Sequence, residues 1–241
     1  RVAIAPDQQY ANTIQLTDAQ HHYLCRVLRL QVGDRFIAMD GQTWWLAILK
    51  DGYRATVVEA IAADTELPIP VTLLIAMPKQ GMDDIVRQAT ELGVSAILPV
   101  ISDRTLLKPS PKKRDRWQRI VQEAAEQSER QQIPRVMEPC PVVQALDYAP
   151  KSLKLWCVAR GDRPLLMSCL DTPTRPPRIV LAIGPEGGWT MAETLQAAER
   201  GYESVSLGAR VLRSVTAPIA ALGVIATVLE STWNYEVHEA N

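Results

Sequence analysis

Two short stretches carry the residue types and spacing best suited to holding a ligand. One is Gly184-Pro185-Glu186-Gly187-Gly188; the other is Leu207-Gly208, followed by Arg210 and Arg213. Gly184-Pro185 forces a turn, while Gly187 and Gly188 admit positive φ and let another molecule approach the main chain closely. Ahead of the turn, Ile179–Ile183 is a short apolar run rich in β-branched residues, the pattern of a buried strand. Behind it, Thr190 and Glu193 have capping-box spacing, which predicts a helix over Met191–Arg200. Strand, glycine turn and helix start together present free backbone N–H groups to a ligand. The second stretch follows the same plan: a strand over Ser204–Leu207, a turn at Gly208, an arginine-bearing segment and an apolar helix over Pro218–Leu229. We expect the two loops to be adjacent at one sheet edge, where open α/β sheets bind ligands. A purely structural turn would also fit the glycine stretch taken alone.

Several chemistries are excluded. The glycine spacing is neither G-x-G-x-x-G nor G-x-x-x-x-G-K-[ST], so neither a dinucleotide fold nor a P-loop is supported. The four cysteines, Cys25, Cys140, Cys157 and Cys169, have no C-x-x-C spacing, and of only three histidines His21 and His22 are far in sequence from the glycine loops. No metal site is expected; reduced thiols and a cytoplasmic location are. No apolar run reaches the roughly 18 residues of a membrane span. The first residue is Arg1 rather than Met, so we expect residues ahead of it, and a targeting segment there is not read from this sequence. Net charge over 241 residues is −1, yet Arg104, Lys108, Lys112, Lys113, Arg114, Arg116 and Arg119 stand against Asp115 alone. Such a run can bind phosphates locally, although it also fits a solvated helix face.

The elements that must position these residues fall into two groups. Up to about residue 66 the chain reads as a small β-rich domain. A helix begins at Thr17-Asp18-Ala19-Gln20, with Leu24, Val27 and Leu28 on one face and Arg26 and Arg29 able to share another. Strand-length runs at Arg35–Met39, Trp44–Lys50 and Arg54–Ile61 are joined at Asp40-Gly41 and Asp51-Gly52, both hairpin signals. A small barrel, a frequent platform for RNA, is the expectation, with packing against a neighbour as its alternative role. Leu67-Pro68-Ile69-Pro70 marks the boundary. Beyond it, strands at Val71–Met77, Val94–Val100 and Leu153–Ala159 alternate with helices from Gly81 to Leu92 and over Arg114–Arg130, and Pro134–Pro150 reads as irregular. This order predicts an α/β domain with a mostly parallel sheet. The apolar helix Pro218–Leu229 should be buried, against the domain or a second subunit.

With these residues in hand, the chain resembles the SPOUT superfamily of S-adenosylmethionine-dependent RNA methyltransferases. Within it, the RsmE-type family, which methylates N3 of a uridine in 16S ribosomal RNA of the small subunit, is the nearer match. The resemblance rests on His21-His22-Tyr23-Leu24 with Val27-Leu28-Arg29 and Gly33-Asp34, Lys79 with Met82-Asp83, Ala89 to Gly93, and Glu126-Gln127-Ser128 with Arg130. Ile183 to Gly188 and Leu207-Gly208 with Leu212-Arg213 and Thr216-Ala217 complete it. It implies a PUA-like β-barrel domain over 1–66 and a SPOUT domain over 71–241 with a deep C-terminal trefoil knot. Threading of that kind departs from the general rule for protein chains. It also implies a homodimer, with S-adenosylmethionine bound near the subunit interface. One departure stands out: relatives commonly carry a glutamate two positions after the last arginine, where this chain has Val215.

On this resemblance the donor is cradled by Ile183, Gly184, Pro185, Glu186 and Gly187, by Leu207, Gly208, Val211 and Leu212, and by Thr216 and Ala217. Arg213 is the candidate for stabilising the acceptor base, and Glu186 a second catalytic candidate or a loop brace. Arg26, Arg29, Arg104, Lys108, Lys112, Lys113 and Arg130 are candidates for contacting ribosomal RNA, free or in the assembled small subunit. Three rivals stay open: a SPOUT ribose 2′-O-methyltransferase, a non-catalytic RNA-binding protein of the same fold, and a generic nucleotide-binding α/β enzyme.

Overall fold

The computed structural model describes residues 1–61, 65–106, 111–171 and 174–233, and these form two compact units. The first unit takes Arg1–Glu66 together with Ala125–Ile133. It holds β1 (Val2–Ala3), β2 (Gln9–Tyr10), β3 (Thr13–Gln15), α1 (Asp18–His22), β4 (Arg35–Met39), β5 (Trp44–Asp51) and β6 (Arg54–Ile61). Its sheet runs β1-β4-β5-β6-β3-β2, antiparallel throughout except where β1 lies parallel to β4. Alternate residues point inward, as the pleat demands: Phe36 and Ala38, Ala47 and Leu49, Ala55 and Val57 form one core with Ile14, Leu16 and Leu24. Both hairpin turns are closed by aspartates, Asp40 accepting from the amides of Gln42 and Thr43, Asp51 from those of Tyr53 and Arg54.

The helix-face expectation in this unit needs correction. Thr17 and Gln20 form the capping box that starts α1, but Tyr23–Val27 then continue as a π turn, closed by the Leu28 amide on the Tyr23 carbonyl at 2.9 Å. The wider turn breaks the 3.6-residue phase. Leu24 is therefore buried while Val27 is 57% exposed and Leu28 faces solvent. The return of 125–133 to this unit was also unexpected. Trp44 Nε1 donates to the Arg130 carbonyl at 3.2 Å, and the Arg130 guanidinium pairs with Glu66.

The second unit takes Leu67–Ala124 and the chain from Pro134 onward. It holds β7 (Val71–Ala76), α2 (Met82–Glu91), β8 (Ala96–Ile101), α3 (Pro111–Gln127, its last turn in the first unit), β9 (Arg135–Val136) and β10 (Cys140–Pro141). There follow α4 (Val142–Ala145), β11 (Leu153–Cys157), α5 (Leu166–Leu170), β12 (Ile179–Ile183), α6 (Met191–Glu199), β13 (Glu203–Val205) and α7 (Thr216–Trp233). The sheet order is β10-β8-β7-β12-β11-β13, with β9 also on β8, and every pairing is parallel. Helices on a parallel sheet bury both faces, which is why β12 reads as an unbroken apolar run, β7 is apolar but for Thr72, and both are buried at every position. Pro134–Pro150 is more ordered than its prolines suggest: β9, β10 and α4 all lie within it, because their backbone groups find partners on β8.

Candidate functional site

Parallel strands all end on one edge of the sheet, and there five loops enclose an open cleft of about 1610 Å³. They follow β7 (Lys79–Gly81), β8 (Arg104), β11 (Val158–Arg163), β12 (Gly184–Thr190) and β13 (Leu207–Val215). The loops after β12 and β13 meet at this edge although their strands are not neighbours. β11 lies between their strands and adds its own loop to the wall.

The glycine turn is held on both flanks. The Glu186 carboxylate accepts the Lys79 amide at 2.9 Å, and Arg104 donates to the Gly187 carbonyl. The capping box of α6 reaches further than its own helix: Glu193, 2% exposed, accepts from the Thr190 amide at 2.7 Å and from the Asp103 amide at 2.9 Å. That buried carboxylate thus sets the turn carrying Arg104. Close approach explains Gly184, since a Cβ there would stand 3.1 Å from the Trp189 ring. This ring is fixed by stacking on Trp156 at 4.0 Å and by donating from Nε1 to the Cys157 carbonyl at 3.2 Å. Cys157 itself is buried, and burial pushes its thiol up to about 12, so it stays neutral.

The second loop is pinned at both ends. Ser206 Oγ accepts the Gly208 amide at 3.1 Å, and the Arg213 carbonyl accepts the amides of Thr216 and Ala217 at 2.9 Å, which anchors Arg213 to the first turn of α7. Val215 packs against the start of α2: a Cβ on Gly81 would lie 2.6 Å from its Cγ1.

Every residue expected at the donor site lines this one cleft: Ile183 to Gly187, Leu207, Gly208, Val211, Leu212, Thr216 and Ala217, together with Arg213. The basic residues expected at RNA are divided between the two units. Arg104 reaches the cleft but is engaged with Gly187. Lys112 and Lys113 are exposed on α3, and Arg26 and Arg29 are exposed in the first unit. Arg130, at 3% exposure and paired with Glu66, is withdrawn from solvent and so from RNA, which corrects the expectation placed on it. Lys108 lies outside the described residues. Sequence reasoning missed Lys79 as a wall residue and the arginines Arg160 and Arg163, and gave Arg210 no role of its own, though all four line the cleft. The signal for Arg160 and Arg163 was a Gly-bearing, arginine-flanked loop after a strand, Arg160-Gly161-Asp162-Arg163.

Comparison with known proteins agrees with this geometry. A model of the RNA methyltransferase domain matches residues 65–226, and one of the RNA methyltransferase PUA domain matches residues 16–57. Ribosomal RNA small subunit methyltransferase E of Synechocystis is 49% identical over 237 residues, spanning 96% of this chain and 78% of that protein. Its namesake in Bacillus subtilis is 32% identical over 232 residues, spanning 89% and 90%. The crystal structure of ribosomal RNA small subunit methyltransferase E from Neisseria gonorrhoeae, bound to S-adenosyl methionine, superposes with a TM-score of 0.83 at 32% identity, covering 94% and 96% of the two chains.

Proposed function

The chain belongs to the RNA methyltransferase family that includes ribosomal RNA small subunit methyltransferase E, and from that premise we propose that it methylates N3 of a uridine in 16S ribosomal RNA, using S-adenosylmethionine. The observation that carries this reading is the convergence on one cleft of both glycine loops, which the sequence separates by some twenty residues. The residues fit the donor. At Gly208 no atom lies within 4 Å of where a Cβ would stand, so the main chain is left open to a ligand. Val211 and Leu212 offer apolar surface beside it for an adenine ring.

When bound, S-adenosylmethionine supplies an electrophilic methyl group on a sulfonium. The chain contributes position and charge. Fixing donor and acceptor in line lowers the barrier by several kcal/mol (about 7–11 in well-oriented systems), and the braced loops are what do the fixing. Uridine N3 gives up its proton to solvent water in the open cleft as the methyl group arrives, and the negative charge that develops spreads onto the flanking carbonyl oxygens. Arg213, held at the start of α7 and facing the cleft, stabilises that charge as an oxyanion donor does. Glu186 serves as a brace, one of its carboxylate oxygens accepting the Lys79 amide.

Five finer features belong to the same proposal. Closure of the first sheet into a PUA-like barrel is supported by the match over 16–57. A deep trefoil knot is supported by the loop after β11, whose Val158 and Leu166 amides bond to the carbonyls of Val205 and Ser206 just before the chain enters α7. A homodimer is supported by Ala220 and Val224, apolar side chains that α7 leaves exposed. A cytoplasmic location follows from the ribosomal substrate. RNA contact by Arg26, Arg29, Lys112 and Lys113 is supported by their exposure.

Nucleoside mass spectrometry of 16S ribosomal RNA tests the function. Deleting the gene should abolish one 3-methyluridine and re-expression should restore it; an unchanged nucleoside profile would refute the assignment.

A further inference from the structure

The cleft carries more positive charge than its donor can use. Seven basic side chains line it against two acidic ones, Asp84 and Glu186. Arg87 is paired with Asp84, and Arg104 donates to the Gly187 carbonyl. Among the described residues, the side chains of Arg160, Arg163 and Arg210 have no hydrogen-bond or ion-pair partner, and all three are exposed. S-adenosylmethionine is itself a net cation, with a sulfonium and an ammonium against one carboxylate. A cation-lined cleft that receives a cation pays repulsion unless a second, anionic ligand shares it.

Backbone geometry brings the three arginines together. The Ser206 amide donates to the Pro164 carbonyl at 2.8 Å, and the Leu166 amide returns to the Ser206 carbonyl at 2.9 Å, so the loops after β11 and β13 are stitched as a short parallel bridge. Arg160 and Arg163 leave one side of that stitch and Arg210 the other, just past Gly208. Guanidinium groups with free forks are suited to phosphate oxygens, which they bind bidentately.

We propose that Arg160, Arg163 and Arg210 form a phosphate clamp that grips the ribosomal RNA backbone beside the target uridine. The clamp rests on the function proposed above and adds its substrate contact. It neutralises the field around the donor only when RNA is present, and it sets the register of the strand while carrying no sequence information itself.

The test compares wild type with a triple variant, Arg160→Gln, Arg163→Gln and Arg210→Gln, and with the corresponding triple Arg→Lys variant. RNA affinity is measured against salt concentration, using unmodified 16S ribosomal RNA both naked and assembled into the small subunit. Each lost phosphate contact removes about 0.7–0.9 from the slope of log affinity on log salt, so the glutamine variant should fall by about 2 on at least one substrate. The lysine variant should retain most of the wild-type slope. Calorimetric affinity for S-adenosylmethionine should hold or rise in the glutamine variant, where three repelling charges are gone, and stay within about twofold in the lysine variant, which also reports that the fold is intact. An unchanged slope on both RNA forms would overturn the clamp, and so would a large loss of donor affinity in the glutamine variant. A wild type that shows the full slope but transfers no methyl group would sink the enzymatic function and leave the clamp standing.

Discussion

Gly208 and Gly201 form a matched pair that separates folding from binding. Both have positive φ, +112° and +79°, and at neither would an added Cβ meet any atom within 4 Å. Substitution by alanine therefore creates no clash at either site and leaves only backbone strain, about 1–2 kcal/mol for an L residue in this region. At this chain length each kcal/mol moves Tm by about 2–4 °C, so both variants should melt about 2–8 °C lower by calorimetry. Only Gly208 lines the cleft, held there by Ser206; Gly201 ends α6 outside it. Isothermal titration with S-adenosylmethionine should accordingly show Gly208→Ala weakened about tenfold or more, equal to about 1.4 kcal/mol, and Gly201→Ala unchanged. Equal donor affinity in the two variants, whether both retained or both lost, would refute the idea that Gly208 is a glycine because a ligand approaches its main chain.

Arg213→Ala should lower kcat about 10- to 100-fold while donor affinity holds, since an oxyanion donor acts in the transition state; single-turnover methyl incorporation within about threefold of wild type would count against that role. Glu193→Ala should cost about 2–4 kcal/mol in urea denaturation, because it removes a helix cap and strands the Asp103 and Thr190 amides; a loss typical of a surface substitution would contradict the bracing described above. Cys157 predicts a pH effect: its thiol titrates near 9.0 when unfolded but about 12 when folded, so its stabilising share is complete below about pH 9 and is lost as pH climbs toward 12. Cys157→Ala should flatten that alkaline decline in unfolding free energy, and an equally steep decline in the variant would show that the slope arises elsewhere.

The misplaced and missed features share a cause. A 3.6-residue period puts Val27 and Leu28 on the face of Leu24, and a single π turn, invisible in composition, changes the phase. The short strands β9 and β10 have little propensity of their own, and exist because β8 offers them free backbone groups. Arg130 looked like a phosphate ligand by residue type, but Glu66, sixty-four positions earlier, claims it. Charge run and charge availability are different properties, and only the second matters to a partner.

What the sequence determined by itself was whatever is local: the capping boxes at Thr17 and Thr190, the apolar strands, the aspartate hairpins, and the glycines that free the main chain at 184–188 and 208. These depend on neighbours a few residues apart, so spacing suffices to reveal them. The tertiary structure alone decided that β11 lies between β12 and β13, and hence that Arg160 and Arg163 face the same cleft as Arg210 and Arg213. Strand order is fixed by which buried faces and backbone ladders fit together across the whole domain, and that energy is not written in any one stretch of chain.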